Sequence, residues 1–180
     1  MPTSVKQFNA EALYRDLLQQ VRAGLSDLTN VADAPALAIV GIHSGGAWLA
    51  ERLAADLGPE LGGRLGFIDV SFYRDDYAKK GLHPDVKPTQ IGFNVDGAAI
   101  LLVDDVLYTG RTTRAAINVL FDYGRPARIM LAALADRSGR ELPVAADFVA
   151  AHVPLESTQA LVLARGADGT LSLTIEDDHA

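Results

Sequence analysis

Residues 100–113 read ILLVDDVLYTGRTT, an apolar run that stops at two adjacent aspartates and continues through a glycine into hydroxyl and arginine side chains. Taken with the alanines before it, AAILLV (98–103) shows no polar alternation, the pattern of a strand covered on both faces in a parallel sheet. Beyond the aspartates, RTTRAAINVLFDYG (111–124) follows helical spacing and is closed by Gly124. The stretch therefore reads as buried strand, short loop and helix. Ligands of an open parallel sheet bind beyond the carboxyl ends of its strands, where loops and helix N-termini converge. Asp104 and Asp105 are expected at that place, just after a strand that stops at Val103.

The same order recurs on either side. LAIVGI (37–42) is a short apolar strand, HSGG (43–46) a tight loop, and AWLAERLAADLG (47–58) a helix ending at Gly58. ARIMLAALAD (127–136) is another apolar strand that ends at an acidic residue. Leu13, Leu17, Leu18, Val21 and Leu25 predict an amphipathic helix over 9–28, and LGFIDVSFYR (65–74) is rich in β-formers. Strands alternating with helices define an α/β class with a mainly parallel twisted sheet flanked by helices. The tail, DFVAAHVP, ALVLARG and TLSLTIEDD, predicts three short extended pieces around the turn at Ala167-Asp168-Gly169. One domain over 1–180 is expected, with a core over about 30–140 and a small hood over about 141–180. Residues 74–94 turn polar, with prolines, glycines and both signs of charge, and are expected to form a flexible lid loop. Trp48, Tyr123 and the phenylalanines are assigned to the core or a subunit interface.

Composition narrows the class further. The 180 residues are 49% hydrophobic and 22% charged, an ordinary globular balance. Without cysteine, neither a disulfide framework nor a thiolate metal site is available. No apolar run reaches the roughly 20 residues of a spanning helix, and the N-terminus lacks a signal-peptide core, so a cytoplasmic protein with no membrane partner is expected. A formal net charge of −7 disfavours broad attraction to nucleic acid.

Ionised carboxylates only accept hydrogen bonds, so the Asp104–Asp105 pair suits vicinal hydroxyl donors. Thr109, Gly110, Arg111, Thr112 and Thr113 open the next helix, where backbone N–H groups cradle an anion and Gly110 lets the backbone approach a phosphate. The combination suits a ligand carrying both hydroxyls and a phosphate. The P-loop motif is excluded, because this stretch has one glycine and no lysine. Each feature also has a plainer reading: a solvated turn for the aspartates, a glycine-rich turn for HSGG, and an ion pair to Asp136 or Glu141 for Arg137.

With these residues in place, VDDVLYTGRTTRAA resembles the phosphoribosyl-pyrophosphate (PRPP) signature of type I phosphoribosyltransferases, and Leu107-Tyr108 make it similar to the PyrR branch. VGI before HSGG, FYRDDYAKKGLHP, GRPARI and ADRSGRELPVAADFV extend the resemblance over most of 10–155. It implies a type I phosphoribosyltransferase-like core. It also implies transfer from PRPP to uracil, giving UMP and pyrophosphate with Mg²⁺, and a second role in regulating the pyrimidine operon.

The family pattern implies PRPP binding by Val103, Asp104, Asp105, Val106, Leu107, Tyr108, Thr109, Gly110, Arg111, Thr112 and Thr113. Asp104 and Asp105 would hold the ribose hydroxyls, act in catalysis with Arg74, and serve the metal indirectly. His43, Ser44, Gly45 and Gly46 occupy the pyrophosphate loop, which in the family often contains a non-proline cis peptide. That loop commonly reads Lys-Thr-Arg-Gly in PyrR sequences, so this chain lacks its two full cations. Arg137 and the backbone around Val153 would meet the base. Purine-using relatives carry an acidic residue where Tyr108 stands, which favours a pyrimidine.

PyrR regulators that bind RNA use basic residues on the N-terminal helix and after RELP. Here that helix sets Arg15 and Arg22 among Glu11, Asp16, Gln19 and Gln20, and positions 145, 146 and 151 are alanines. Arg125, Arg128 and Arg140 could still make a small patch, but the balance disfavours RNA as a partner. An RNA-binding attenuation protein with vestigial catalysis and a phosphoribosyltransferase for another base are the alternatives. A homodimer or higher homo-oligomer is expected.

Overall fold

A computed structural model describes residues 7–29, 32–58, 64–71 and 88–177 of the chain. Its centre is β4 (Ala99–Leu107), whose first six residues are all buried. Around it lie β2 (Leu37–Ile42), β3 (Leu65–Ile68), β5 (Arg128–Asp136) and β6 (Phe148–His152). These make a five-stranded sheet in the order β3-β2-β4-β5-β6, with every neighbouring pair parallel. From β2 the chain steps outward to β3, then returns past β2 to β4 and continues the other way. The winding thus reverses between β2 and β4, and that crevice is where such sheets bind ligands.

Alternation along the strands feeds two cores. Ile39, Leu101, Val103, Met130, Ala132 and Leu134 face α1 (Ala10–Thr29) and α2 (Gly45–Leu57). Val40, Ile100, Leu102, Leu131 and Ala133 face α3 (Arg111–Tyr123). The unbroken apolar runs reflect this double cover. Asn9 opens α1 by accepting the Ala12 N–H at 2.9 Å, a side-chain cap for an otherwise orphaned helix donor. Trp48 packs partly buried against the first core, whereas Phe121 and Tyr123 are 45% and 48% exposed, outside the expected core.

A second, three-stranded sheet has the order β1-β8-β7, built from β1 (Gln7–Phe8), β7 (Gln159–Arg165) and β8 (Leu171–Asp177). Its Leu161, Leu163, Leu171 and Leu173 seal the α1 side of the core. The segment expected to form the hood is therefore divided. Residues 148–152 extend the main sheet as β6, while the small sheet recruits β1 from the other end of the chain.

Three boundaries differ from the sequence reading. β4 runs four residues past Val103, because its ladder with β5 continues through Asp104↔Ala133, Val106↔Ala135 and Leu107↔Asp136. Its pairing with β2 stops at Gly41↔Val103, so this overhang borders the crevice. β3 ends at Ile68 because the Asp69 carboxylate accepts the Ser71 N–H at 2.8 Å, a local turn that competes with the ladder. α2 begins at Gly45, its first turn formed by the Ser44 carbonyl accepting the Ala47 and Trp48 N–H groups at 3.1 and 3.3 Å. Among the described residues no helix is long and apolar enough to cross a membrane.

Candidate active site

At the β2–β4 crevice the carboxylates sit on the overhang of β4. Asp104 is 5% exposed, and its Oδ1 accepts the Asp105 N–H at 2.9 Å. Asp105 is half-buried and accepts the Val106 N–H through Oδ1 at 2.8 Å. The other Asp105 oxygen lies against Gly45, where a Cβ would overlap it; at Gly46 a Cβ would overlap the Val103 carbonyl. Both glycines are therefore required by close approach, and the 43–46 loop is pressed onto the aspartate pair. The His43–Ser44 peptide bond is cis, and the His43 N–H is held by the Ile68 carbonyl at 2.9 Å.

Gly110 caps α3 in the left-handed region, with φ of 91°. The first α-helical bond of α3 runs from the Arg114 N–H to the Gly110 carbonyl at 2.9 Å. The N–H groups before it have no intrahelical acceptor, the condition the expected anion cradle requires. Thr109 Oγ1 accepts the Arg111 N–H at 3.2 Å. The Thr113 side chain departs from the expected cradle. It is 2% exposed on the inner face of α3 beside Ala116 and Leu120, and its hydroxyl has no partner among the described residues.

Opposite the cradle, a loop after β5 is laced to this segment. The Thr109 carbonyl accepts the Glu141 and Leu142 N–H groups at 2.9 and 3.0 Å, and the Leu107 carbonyl accepts that of Arg137 at 3.0 Å. Arg111 pairs with Glu141 at 2.7 Å on the surface. Arg140 donates to the Tyr108 carbonyl at 2.6 Å and to Asp136 at 2.5 Å. Burial alone would raise the Asp136 carboxyl. The Arg140 hydrogen bond, the Ser138 N–H and the nearby His152 outweigh that and hold it below the usual carboxylate range.

The ion pair of the plainer reading is therefore not made to Arg137, because Arg140 takes Asp136 and Arg111 takes Glu141. Arg137 is 6% exposed, stacks on the Tyr108 ring with its guanidinium 3.8 Å from the centroid, and donates to the Glu156 carbonyl at 3.1 Å. The Tyr108 side chain thus belongs with Arg137 rather than with the phosphate cradle. Val153 is buried nearby, with its N–H held by the Asp136 carbonyl at 2.8 Å. Any contact of Val153 with a base falls to its carbonyl or to its neighbours.

Arg74, Tyr73 and most of the expected lid fall within 72–87, outside the described residues. The end of that stretch is anchored, since Gln90 and Phe67 exchange backbone hydrogen bonds at 2.8 Å and Ile91 and Phe93 pack on the second core. The bracing by Arg140 and Glu141 was not read from sequence. Its signal was the charged SGRE run directly after a buried strand. Among the described residues no group of three or more His, Cys, Asp or Glu could hold a metal ion. A metal here would have to share its coordination with a ligand, and Asp104 and Asp105 are the residues that would hold it.

The family model described as "Phosphoribosyl transferase domain" matches residues 5–159 and places the chain, with its parallel sheet reversing beside the Asp104–Asp105 pair, among the phosphoribosyltransferases. A protein of Ralstonia nicotianae named "Bifunctional protein PyrR" is 50% identical over 166 residues, covering 91% of this chain and 90% of its own. A protein of the same name from Nitrosococcus oceani is 46% identical over 155 residues, covering 86% and 85%. The chain belongs to this PyrR family. Solved structures agree in fold. A hypoxanthine phosphoribosyltransferase from Trypanosoma cruzi superposes with a TM-score of 0.63 at 20% identity, over 92% of this chain and 87% of that one. A hypoxanthine-guanine phosphoribosyltransferase from Bacillus anthracis gives 0.62 at 17% identity, over 85% and 86%.

Proposed function

We propose that the protein is a cytoplasmic uracil phosphoribosyltransferase that converts uracil and PRPP into UMP and pyrophosphate, and that it also regulates the pyrimidine operon. The observation that carries the reading is the contact between Asp105 and Gly45. It joins a hydroxyl-accepting carboxylate pair to a loop of backbone N–H groups at the reversal of the sheet. The α3 N-terminus holds the 5′-phosphate, and Asp104 and Asp105 hold the ribose hydroxyls. As N1 of uracil bonds to C1′ of the ribose, the C1′–oxygen bond breaks, its electron pair leaves with pyrophosphate, the N1 proton passes to the pyrophosphate or to solvent, and positive charge builds on the sugar. Two fixed carboxylates close to the ribose stabilise that charge.

The 43–46 loop takes the leaving pyrophosphate through its backbone, and Arg74 supplies a cation. Asp104 and Asp105 would hold Mg²⁺ jointly with the substrate, where it supplies charge neutralisation for the leaving group. Purified protein given PRPP, Mg²⁺ and uracil is expected to release UMP and pyrophosphate. Asp104→Asn and Asp105→Asn should each lower that rate at least about tenfold, a loss of about 1.4 kcal/mol of transition-state stabilisation, with Tm little changed. Turnover of another base in place of uracil would overturn the assignment, and unfolding of both variants would favour a structural role.

The regulatory half reverses the expectation against RNA. That expectation rested on a thin basic surface, and relatives this similar carry the name of a bifunctional protein. Arg22 and Arg140 donate to backbone carbonyls and Gln20 to Val149, so an RNA face would draw on exposed cations such as Arg114, Arg125 and Arg128. Affinity for an RNA hairpin that falls steeply with salt supports this role, and no binding at low salt removes it. A homodimer or larger homo-oligomer is proposed with it, and light scattering reads that mass directly.

A further inference from the structure

Resting on the uracil reading, we propose that Tyr108 is a positioning residue that sets base affinity through Arg137. Arg137 is an almost fully buried cation with no carboxylate partner among the described residues, because Arg140 and Arg111 occupy the two acids nearest in sequence. Two contacts orient its guanidinium: the Tyr108 ring at 3.8 Å and the Glu156 carbonyl at 3.1 Å. Its Nε is buried without a hydrogen-bond partner among the described residues. A buried guanidinium with an unpaired donor is a costly arrangement. It suits a ligand with carbonyl acceptors, such as the oxygens of a pyrimidine ring.

The shelf beneath it is itself fixed. The Tyr108 carbonyl is held by Arg140 at 2.6 Å. Gly139, with φ of 84°, packs so closely on the ring edge that a Cβ there would overlap it. Tyr108 remains 39% exposed, so it is not a core residue whose loss would unfold the domain. Removing the ring leaves Arg137 one oriented contact in place of two. The guanidinium then samples several orientations, and only part of the population presents its donors to the base.

The test compares Tyr108→Leu, which removes the π-face, with Tyr108→Phe, which keeps it and removes only the hydroxyl. With uracil varied, Tyr108→Leu should raise KM about tenfold, equivalent to about 1.4 kcal/mol and within the range for a desolvated cation–π contact. Its KM for PRPP should move by less than about threefold, and Tyr108→Phe should restore the uracil KM to within about twofold of the parent. In ¹⁵N-arginine spectra, the Arg137 Nε–H, identified by its loss in Arg137→Lys, should be ordered in the parent and Tyr108→Phe and mobile in Tyr108→Leu. An ordered Arg137 in Tyr108→Leu, or equal losses toward both substrates, overturns the proposal. If the parent does not turn over uracil, the base assignment fails while the arginine spectra still decide whether Tyr108 orients Arg137.

Discussion

Thr113 is the residue at which local pattern and buried position disagree. It follows the Thr-Gly-Arg-Thr run, which favours a place in the anion cradle, yet helical spacing puts it on one stripe with Ala116 and Leu120. The stripe wins, and the hydroxyl is buried at 2% exposure with no partner among the described residues. A buried hydroxyl left unpaired costs roughly 1–3 kcal/mol, and valine replaces it with a methyl of similar shape. Thr113→Val should therefore raise Tm by about 2–4 °C while leaving the KM for PRPP unchanged. Thermal unfolding and initial rates check both halves. A rise in that KM would return Thr113 to the phosphate site.

Among the elements, β6 shows what sequence conveys and what it withholds. Strand–loop–helix order, the glycine loop after β2 and the acidic end of β4 were legible because each is written within about fifteen consecutive residues, where spacing governs local structure. The lacing of Tyr108, Thr109 and Arg111 to Arg137, Arg140 and Glu141 was not, because it depends on two strand ends becoming neighbours. β6 belongs to the second kind. It lies at the edge of the main sheet, and Gln20 of α1 meets its backbone as a strand would, accepting the Val149 N–H at 3.2 Å and donating to the Val149 carbonyl at 2.9 Å. Gly24, one turn on, packs so close to Phe148 that a Cβ would overlap the ring. Read as a missing cation, Gln20 argued against RNA; in the fold it covers a sheet edge. Gln20→Ala should cost about 1 kcal/mol, because solvent replaces part of what is lost. Amide exchange should speed up at Val149 and remain slow at Ala132 in the centre of the sheet. Equal acceleration at both positions would show global unfolding and refute the edge role.

At the scale of the molecule, the Glu11 carboxylate ties the small sheet to both helices that cover one face of the main sheet. Glu11, near the start of α1, takes Arg52 of α2 through both oxygens at 3.0 and 2.9 Å and accepts the Leu171 N–H of β8 at 2.9 Å. Arg52 also lies 4.0 Å over the Tyr14 ring, whose hydroxyl donates to Asp56 at 2.6 Å. The Arg52 hydrogen bonds and the Leu171 N–H hold the Glu11 carboxyl below its ordinary value, with burial opposing them. A carboxyl depressed in the folded state contributes stability above its unfolded pKa of about 4.3 and loses it as pH falls through the lower folded value. Glu11→Gln removes that dependence. At pH 7 the variant should melt about 2–4 °C below the parent, a modest loss because both side chains of the pair remain about one-third exposed. Between pH 5 and pH 3 the gap should narrow, because the parent loses the Glu11 contribution while the variant has none to lose. Asp136, whose carboxyl is also depressed, is common to both proteins and cancels in the difference. A gap that stays constant down to pH 3 would mean that Glu11 ties the small sheet to α2 by shape and neutral hydrogen bonding, with its charge contributing nothing.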